Sequence, residues 1–204
     1  MAQRSDAKQR MVRAAEELIR ERGYSATAMS DVLERSGAPR GSVYFHFPGG
    51  KTQLVIEAAE AHVHQQVACI DRVAEQAGSA AEFVGAYLNL ARDGMADSGY
   101  SRGCGISPLV IEAMEGPDEV RETSRRAFAE MTDRLAFHFV AYGTDRKAAR
   151  ELAEALLAGL MGALITSRAL RSPAPFDAVQ AAMAGYAAAA APKPAGARRG
   201  QAGR

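Results

Sequence analysis

GAPRGSVYFHFPGGK, residues 37 to 51, is bounded by glycine and proline and crowds Arg40, Tyr44, Phe45, His46 and Lys51 into about two turns of chain. Two turns of helix bury little, so packing does not account for that much aromatic and basic chemistry. Pro39 suits the first turn of a helix and Pro48 breaks one, which predicts a short helix reaching Phe47. Val43 and Phe47 stand four apart and share the inward face, leaving Arg40, Tyr44 and His46 for the outside. Any one of these residues alone reads as packing or as a solvated charge. The whole set at this spacing does not.

Working outward, Ser5 or Asp6 can cap a helix running to Arg22, with Met11, Ala14, Ala15, Leu18 and Ile19 on one face and Gly23 at its end. Thr27 or Ser30 can cap a second, short helix carrying Met29, Val32 and Leu33 and stopped by Gly37. Two short helices joined by SGAP and packed on a longer first one form a helix-turn-helix, whose second helix enters the major groove of duplex DNA. On that reading Arg40 offers a fork of donors to guanine or phosphate. Gly41 lets the backbone come close, and Ser42 donates to a base edge or a phosphate. Tyr44 touches a thymine methyl or bonds a phosphate, Phe45 offers apolar contact, and His46 donates to phosphate. Lys51 and Thr27 sit at helix N-termini, where free N–H groups attract phosphate.

The rest of the chain continues as helix. Lys51 opens a long helix to about Gln76, and SAAE at 79 to 82 is a capping box for the next. Residues 98 to 105, SGYSRGCG, read as a loop. A short helix starts at Ser107 and Pro108, and a long one covers 117 to 142. Gly143 closes it, Thr144 caps a helix to about Arg171, and SPAPF turns the chain into a last helix at 176 to 190. There is no alternating strand pattern and no internal repeat, so the expected fold is all-α. The tail APKPAGARRGQAGR has the composition of a disordered segment.

The 204 residues are 48% hydrophobic and only 6% aromatic, and carry a net charge of +1. That charge is unevenly spread: the first 51 residues and the tail are basic and the middle is acidic, as expected if the head meets a polyanion. The start MAQRSDAKQRMV lacks the apolar core of a signal peptide. No run of about 18 apolar residues is present, so no membrane span and a cytoplasmic protein are expected. Cys69 and Cys104 make no disulfide framework and are read as reduced thiols.

Enzyme motifs are missing: no P-loop, no G-x-S-x-G, no H-E-x-x-H. His62 and His64, two apart on a helix, point to different sides and make no metal pair. No metal or cofactor is expected. Cys104, between two glycines and beside Arg102, has two readings: a redox-responsive thiol, or a small residue filling a pocket wall, the plainer of the two. A single helix-turn-helix reads few base pairs, so dimerisation is expected. The helix from 144 to 171 is apolar nearly all round, with a stripe of small residues. Leu156, Gly159, Leu160, Ala163 and Met183 are assigned to a four-helix interface with a second copy, the alternative being a stripe packed within the chain.

GYSATAMSDVLERSGAPRGSVYFHFPGGKTQLV closely resembles the DNA-binding head of the TetR family of bacterial repressors. Tyr24, Thr27, Gly37, Gly41, Val43, Tyr44, His46, Phe47 and Lys51 carry the match, over about residues 8 to 60. GCG at 103 to 105 and SPAPF at 172 to 176 resemble the LmrA/YxaF-like branch. Pro39 and Phe45 depart from many relatives, which carry Ser and a polar residue or Tyr there. The resemblance implies a head at 1–51 with its motif at about 28–47, a helical ligand-binding and dimerisation domain at 52–190, and a tail at 191–204. It also implies a repressor of palindromic operators, with an activator as the alternative. Its inducer would be a small hydrophobic or aromatic molecule that shifts the helix after Lys51 and releases DNA. Met and aromatic residues suit such a pocket, assigned to Tyr87, Met95, Cys104, Met114, Phe128 and Met131.

Overall fold

The computed structural model describes residues 2–112 and 116–190; Met114 and the tail at 191–204 lie outside the described residues. Nine helices and no strands occur among them: α1 (Ala2–Arg22), α2 (Met29–Ser36), α3 (Ser42–His46), α4 (Gly50–Gln76), α5 (Ala80–Asp97), α6 (Ser107–Glu112), α7 (Asp118–Ala141), α8 (Arg146–Leu170) and α9 (Ala174–Ala190).

The periodic faces bury as their spacing predicts. Met11, Ala14, Ala15, Leu18 and Ile19 of α1 pack with Val32 of α2, Val43 and Phe47 around α3, and Leu54, Val55, Ala58 and Ala59 of α4. This core does not close at residue 51: it runs along α4 to Val63 and takes in Ile106, Leu109, Val120 and Ala127. A second core joins Ile70 at the far end of α4 to Phe83, Tyr87 and Leu88 of α5, Leu135 and Phe139 of α7, Leu152 and Leu156 of α8, and Phe176 of α9. Phe128 packs against both. Phe83 is its aromatic centre, with Phe139 edge-on at 5.4 Å and Tyr87 stacked at 6.3 Å.

Helix ends differ from expectation where backbone geometry, not residue type, decides. Ser79 caps α5 as predicted, accepting from the Glu82 N–H at 3.2 Å while the Glu82 carboxylate takes the Gly78 N–H at 2.8 Å. At α2 the cap is Ala28, with no side-chain bond, in place of Thr27 or Ser30. At α8 it is Asp145, whose carboxylate accepts from Lys147 and Ala148, while Thr144 is buried one residue earlier. The chain after Pro39 forms a turn, Ser42 N–H to Pro39 O at 2.9 Å, so α3 starts at Ser42. At the end of α2, Gly37 takes φ +62°, a left-handed cap that favours glycine.

The small residues of α8 divide between two faces: Gly159 and Ala163 face inward, while Gly162 is exposed. Leu156, Leu160, Ala163 and Met183 are buried in this chain's own core, and a Cβ on Gly159 would stand 2.8 Å from Val179 of α9. Their assignment to an interface with a second copy is therefore corrected: they pack α8 onto α9. α8 is the one helix among those described long and apolar enough to cross a bilayer, and one side of it, with Leu152, Leu156 and Leu160, is buried against its neighbours. Replacing Phe83 with Ala is expected to cost about 3–5 kcal/mol in urea unfolding. Ser79→Ala, which removes one cap bond, should cost about 1 kcal/mol.

Candidate functional site

The turn between α2 and α3 is pinned to α1, since Arg10 donates to the Ser36 carbonyl at 3.0 Å. With Val43 at 2% and Phe47 at 0% exposure, the outer face of α3 is fixed. Tyr44 is 78% exposed and Phe45 69%, and Arg40 and Gly41 are also at the surface. Ser42 is half-buried and donates its hydroxyl to Pro39 O at 2.6 Å. His46 is half-buried, edge-on to the Phe45 ring at 5.0 Å. Gly41 carries φ −72°, and a Cβ there would meet nothing within 4 Å, so nothing in this chain requires a glycine.

Lys51 stands in the first turn of α4 as expected, but it is engaged inside the protein. Its ammonium donates to Tyr24 O at 2.8 Å and lies 4.4 Å from the Tyr24 ring centre. Burial pushes its pKa down, against the pull of the Glu112 carboxylate. The expectation for Thr27 is corrected. It is buried, its hydroxyl donates to Gly23 O at 2.7 Å and its N–H to Tyr24 O, so neither is offered to a phosphate in this conformation.

A cavity of about 170 Å³ lies between α1, α4, α5, α7, α8 and the loop before α6. Of the residues assigned to a pocket, Tyr87, Met95, Cys104 and Met131 line it. Phe128 does not, being packed between the two cores. Leu157, Leu160 and Met161 of α8 complete the apolar wall.

The polar side of that wall was not visible in the sequence. His62, 3% exposed, is hydrogen-bonded through Nδ1 to Glu16 of α1 at 3.0 Å. Its Nε2 faces the Gly105 N–H at 3.3 Å. Gly105 lies so flat on the ring that a Cβ there would come within 2.9 Å of it. The half-buried thiol of Cys104 meets the same imidazole and accepts the Ile106 N–H at 3.3 Å. Burial opposes charge on all three groups, but their mutual bonds prevail. The Glu16 carboxyl is held low by His62 and Arg20, His62 is raised to about 9, and Cys104 is drawn down to about 7. The loop is tied to α1 a second time: Arg20 donates to Gly103 O at 3.0 Å, and the Gly103 N–H to Arg20 O at 2.9 Å. His64, two residues from His62, is exposed on the other side. Among the described residues no group of three or more His, Cys, Asp or Glu is placed to hold a metal.

The sequence family described as bacterial regulatory proteins, tetR family, matches residues 11–58. The LmrA/YxaF-like transcriptional regulator C-terminal domain matches residues 80–182. An uncharacterized HTH-type transcriptional regulator of Mycobacterium tuberculosis is 37% identical over 84% of this chain and 89% of its own length. The chain belongs to the TetR family. The HTH-type regulator LmrA of Bacillus subtilis is 26% identical over 83% of this chain and 90% of that protein, which fits the LmrA/YxaF-like branch. The crystal structure of a TetR regulator from Legionella pneumophila, 19% identical, shares the fold at a TM-score of 0.78 over 86% of this chain and 94% of that one. As a TetR-family protein the chain is a DNA-binding transcriptional regulator and not an enzyme.

The buried cluster couples the fold to pH in two opposing ways. His62 holds its proton more tightly folded than unfolded, so its contribution is full below its ordinary pKa of 6.5 and is lost as pH rises through about 9. Cys104 behaves oppositely: its contribution is present above its ordinary 9.0 and is lost as pH falls through about 7. Between pH 7 and 9 the two slopes nearly cancel. Cys104→Ala removes the strongest contact that raises His62, so both slopes are expected to fade together and stability to urea to stay level across this window in variant and parent alike. A variant whose stability falls across the window would mean that Glu16 by itself keeps His62 charged.

Proposed function

We propose that the chain is a ligand-released repressor that binds a palindromic operator as a dimer in the cytoplasm. The observation that carries the reading is α3: two large aromatic side chains stand exposed beside Arg40 on a helix whose other face is fully buried. Water is a poor environment for Tyr44 and Phe45, whereas a major groove offers thymine methyls, stacked edges and phosphates. Residues 1–51 form the head that reads DNA, with Arg40, Gly41, Ser42, Tyr44, Phe45 and His46 at the groove. Lys51 reaches phosphate by exchanging its bond to Tyr24 O.

Two such heads need a fixed separation, and α8 and α9 offer the surface for it. Their outward faces carry Gly162, Ile165, Ala181, Gly185 and Tyr186. A Cβ at Gly162 or Gly185 would meet nothing within 4 Å in this chain, and Ile165 is 58% exposed. Such a flat apolar face suits close approach of the same helices from a second copy. The cavity takes a small hydrophobic or aromatic inducer, and its wall shares Arg20 and His62 with the bonds that hold α1. A ligand that favours a shifted loop thereby favours a shifted head, which is the differential binding that release requires.

Selecting bound fragments from genomic DNA with the purified protein tests the reading. A shared inverted repeat is expected, and recovery of random fragments at low salt would overturn it. On the selected fragment, Tyr44→Ala should abolish specific binding with helix content unchanged. Arg40→Ala should cost about 1–3 kcal/mol and relax one base position. Ile165→Glu or Gly162→Arg should give monomers in sedimentation at concentrations where the parent is dimeric. A reporter carrying the fragment should be less active with the protein present; higher activity would make it an activator.

A further inference from the structure

His62 and Cys104 line the cavity, with Glu16 behind His62, and simple van der Waals filling by an inducer makes no use of the thiol. We infer that Cys104 captures a small conjugated carbonyl compound in this cavity, an α,β-unsaturated aldehyde or ketone or a one-ring quinone, as a covalent adduct, with His62 as the charge partner of the sulfur and Tyr87 as the donor to the carbonyl oxygen. The inference deepens the inducer proposal by naming the ligand's chemistry.

Three independent features converge on it. The first is a nucleophile beside an oriented imidazole. Glu16 fixes His62 through Nδ1, which leaves Nε2 turned toward the loop carrying the thiol. The Ile106 N–H at 3.3 Å offers a donor to sulfur. The second is an unused polar group. Tyr87 is 3% exposed and lines the cavity, and its hydroxyl makes no hydrogen bond among the described residues. Burial raises its pKa, so it stays protonated and able to donate. Its oxygen keeps accessible surface, so it is reached from the cavity rather than sealed in the core. The third is size. A cavity of roughly 150 Å³ accepts a benzene ring, and this one, partly open and with Arg20, Gln66 and Arg102 in its wall beside Met95, Met131, Leu157 and Leu160, is about 170 Å³.

The step needs no other reactant. The thiol loses its proton to solvent beside the His62 imidazolium, and the thiolate donates its electron pair to the β-carbon to form the C–S bond. The C=C π pair moves toward the carbonyl oxygen, where the Tyr87 hydroxyl meets the developing enolate. For the aldehyde or ketone the proton on His62 then passes to the α-carbon, leaving a saturated thioether; for the quinone the ring C–H proton moves to oxygen, leaving an aromatic hydroquinone thioether. The titratable and charged groups around the thiol are Glu16 and Arg20 of α1, His62 and Cys69 of α4, Tyr87 of α5, Arg102 of the loop, Glu112 of α6 and Arg168 of α8. An adduct displaces Gly103 and Gly105, the two points at which the loop holds Arg20 and His62.

The full chain is treated with crotonaldehyde, with methyl-1,4-benzoquinone and with iodoacetamide, and adducts are located by peptide mass mapping. A single early adduct on Cys104 is expected, well ahead of Cys69, whose pKa burial raises. The rate at Cys104 should rise with pH around a midpoint near 7. His62→Gln should return that midpoint toward the ordinary thiol range, slowing the reaction about 50-fold at pH 7 as the thiolate fraction falls. Tyr87→Phe should slow the crotonaldehyde reaction about 100-fold while leaving iodoacetamide, which forms no enolate, within about twofold.

Cys69 reacting as fast as Cys104, a parent midpoint near 9, or equal slowing of both reagents in Tyr87→Phe would overturn the inference. So would hydrogen peroxide oxidising Cys104 faster than the aldehyde adds, which would mark a redox thiol instead. The parent profile and Tyr87→Phe decide the matter even if His62→Gln does not fold. Loss of affinity for the selected DNA fragment on adduct formation is the expected consequence. A protein that selects no DNA would sink the operator proposal while leaving these rates readable on their own.

Discussion

A helix of five residues does not hold its shape in water, because nucleation costs more than so few bonds return. α3 exists because Val43 and Phe47 are locked into a core supplied by α1, α2 and α4. Everything outward-facing on the head depends on that anchoring. Tyr44 and Phe45 stay exposed because their neighbours in sequence are held, and the tie from Arg10 to Ser36 O fixes the angle at which they stand. The apolar interior thus presents a polar and aromatic edge to the outside without asking that edge to contribute stability.

The same logic explains which features were legible in the sequence. The faces of α1, α4, α5 and α7 follow from spacing alone, and glycines such as Gly37 mark real left-handed ends. The head was readable because its signal is local: fifteen residues hold the turn, the anchors and the exposed groups. Caps were less readable. Thr27 and Thr144 have suitable chemistry, but the extended backbone that makes a cap fell one residue later, at Ala28 and Asp145. Small residues on α8 announce close packing without naming the partner, and Val179 of the same chain takes the place beside Gly159.

The cavity's polar wall was hidden for a different reason. Glu16 and His62 are 46 positions apart, and Gly105 lies 43 beyond His62. No periodicity relates them. His62 looks like any histidine on a long helix until the fold brings a carboxylate to one nitrogen and a backbone N–H to the other. A buried charged cluster of this kind stabilises little in itself, since desolvation offsets most of the attraction. Its placement between head and cavity is what gives it meaning, for the groups that would sense an occupant also fasten α1.

The core that runs uninterrupted from α1 through α4 into Ile106, Leu109, Val120 and Ala127 bears on how such proteins diverge. A reading head cut at residue 51 would leave the apolar side of α1 open to water. Grafting the head of one relative onto the body of another therefore means carrying the first turns of α4 and matching the pieces of α6 and α7 that complete its floor. New operators are more readily acquired by changing the exposed face of α3 than by exchanging whole modules.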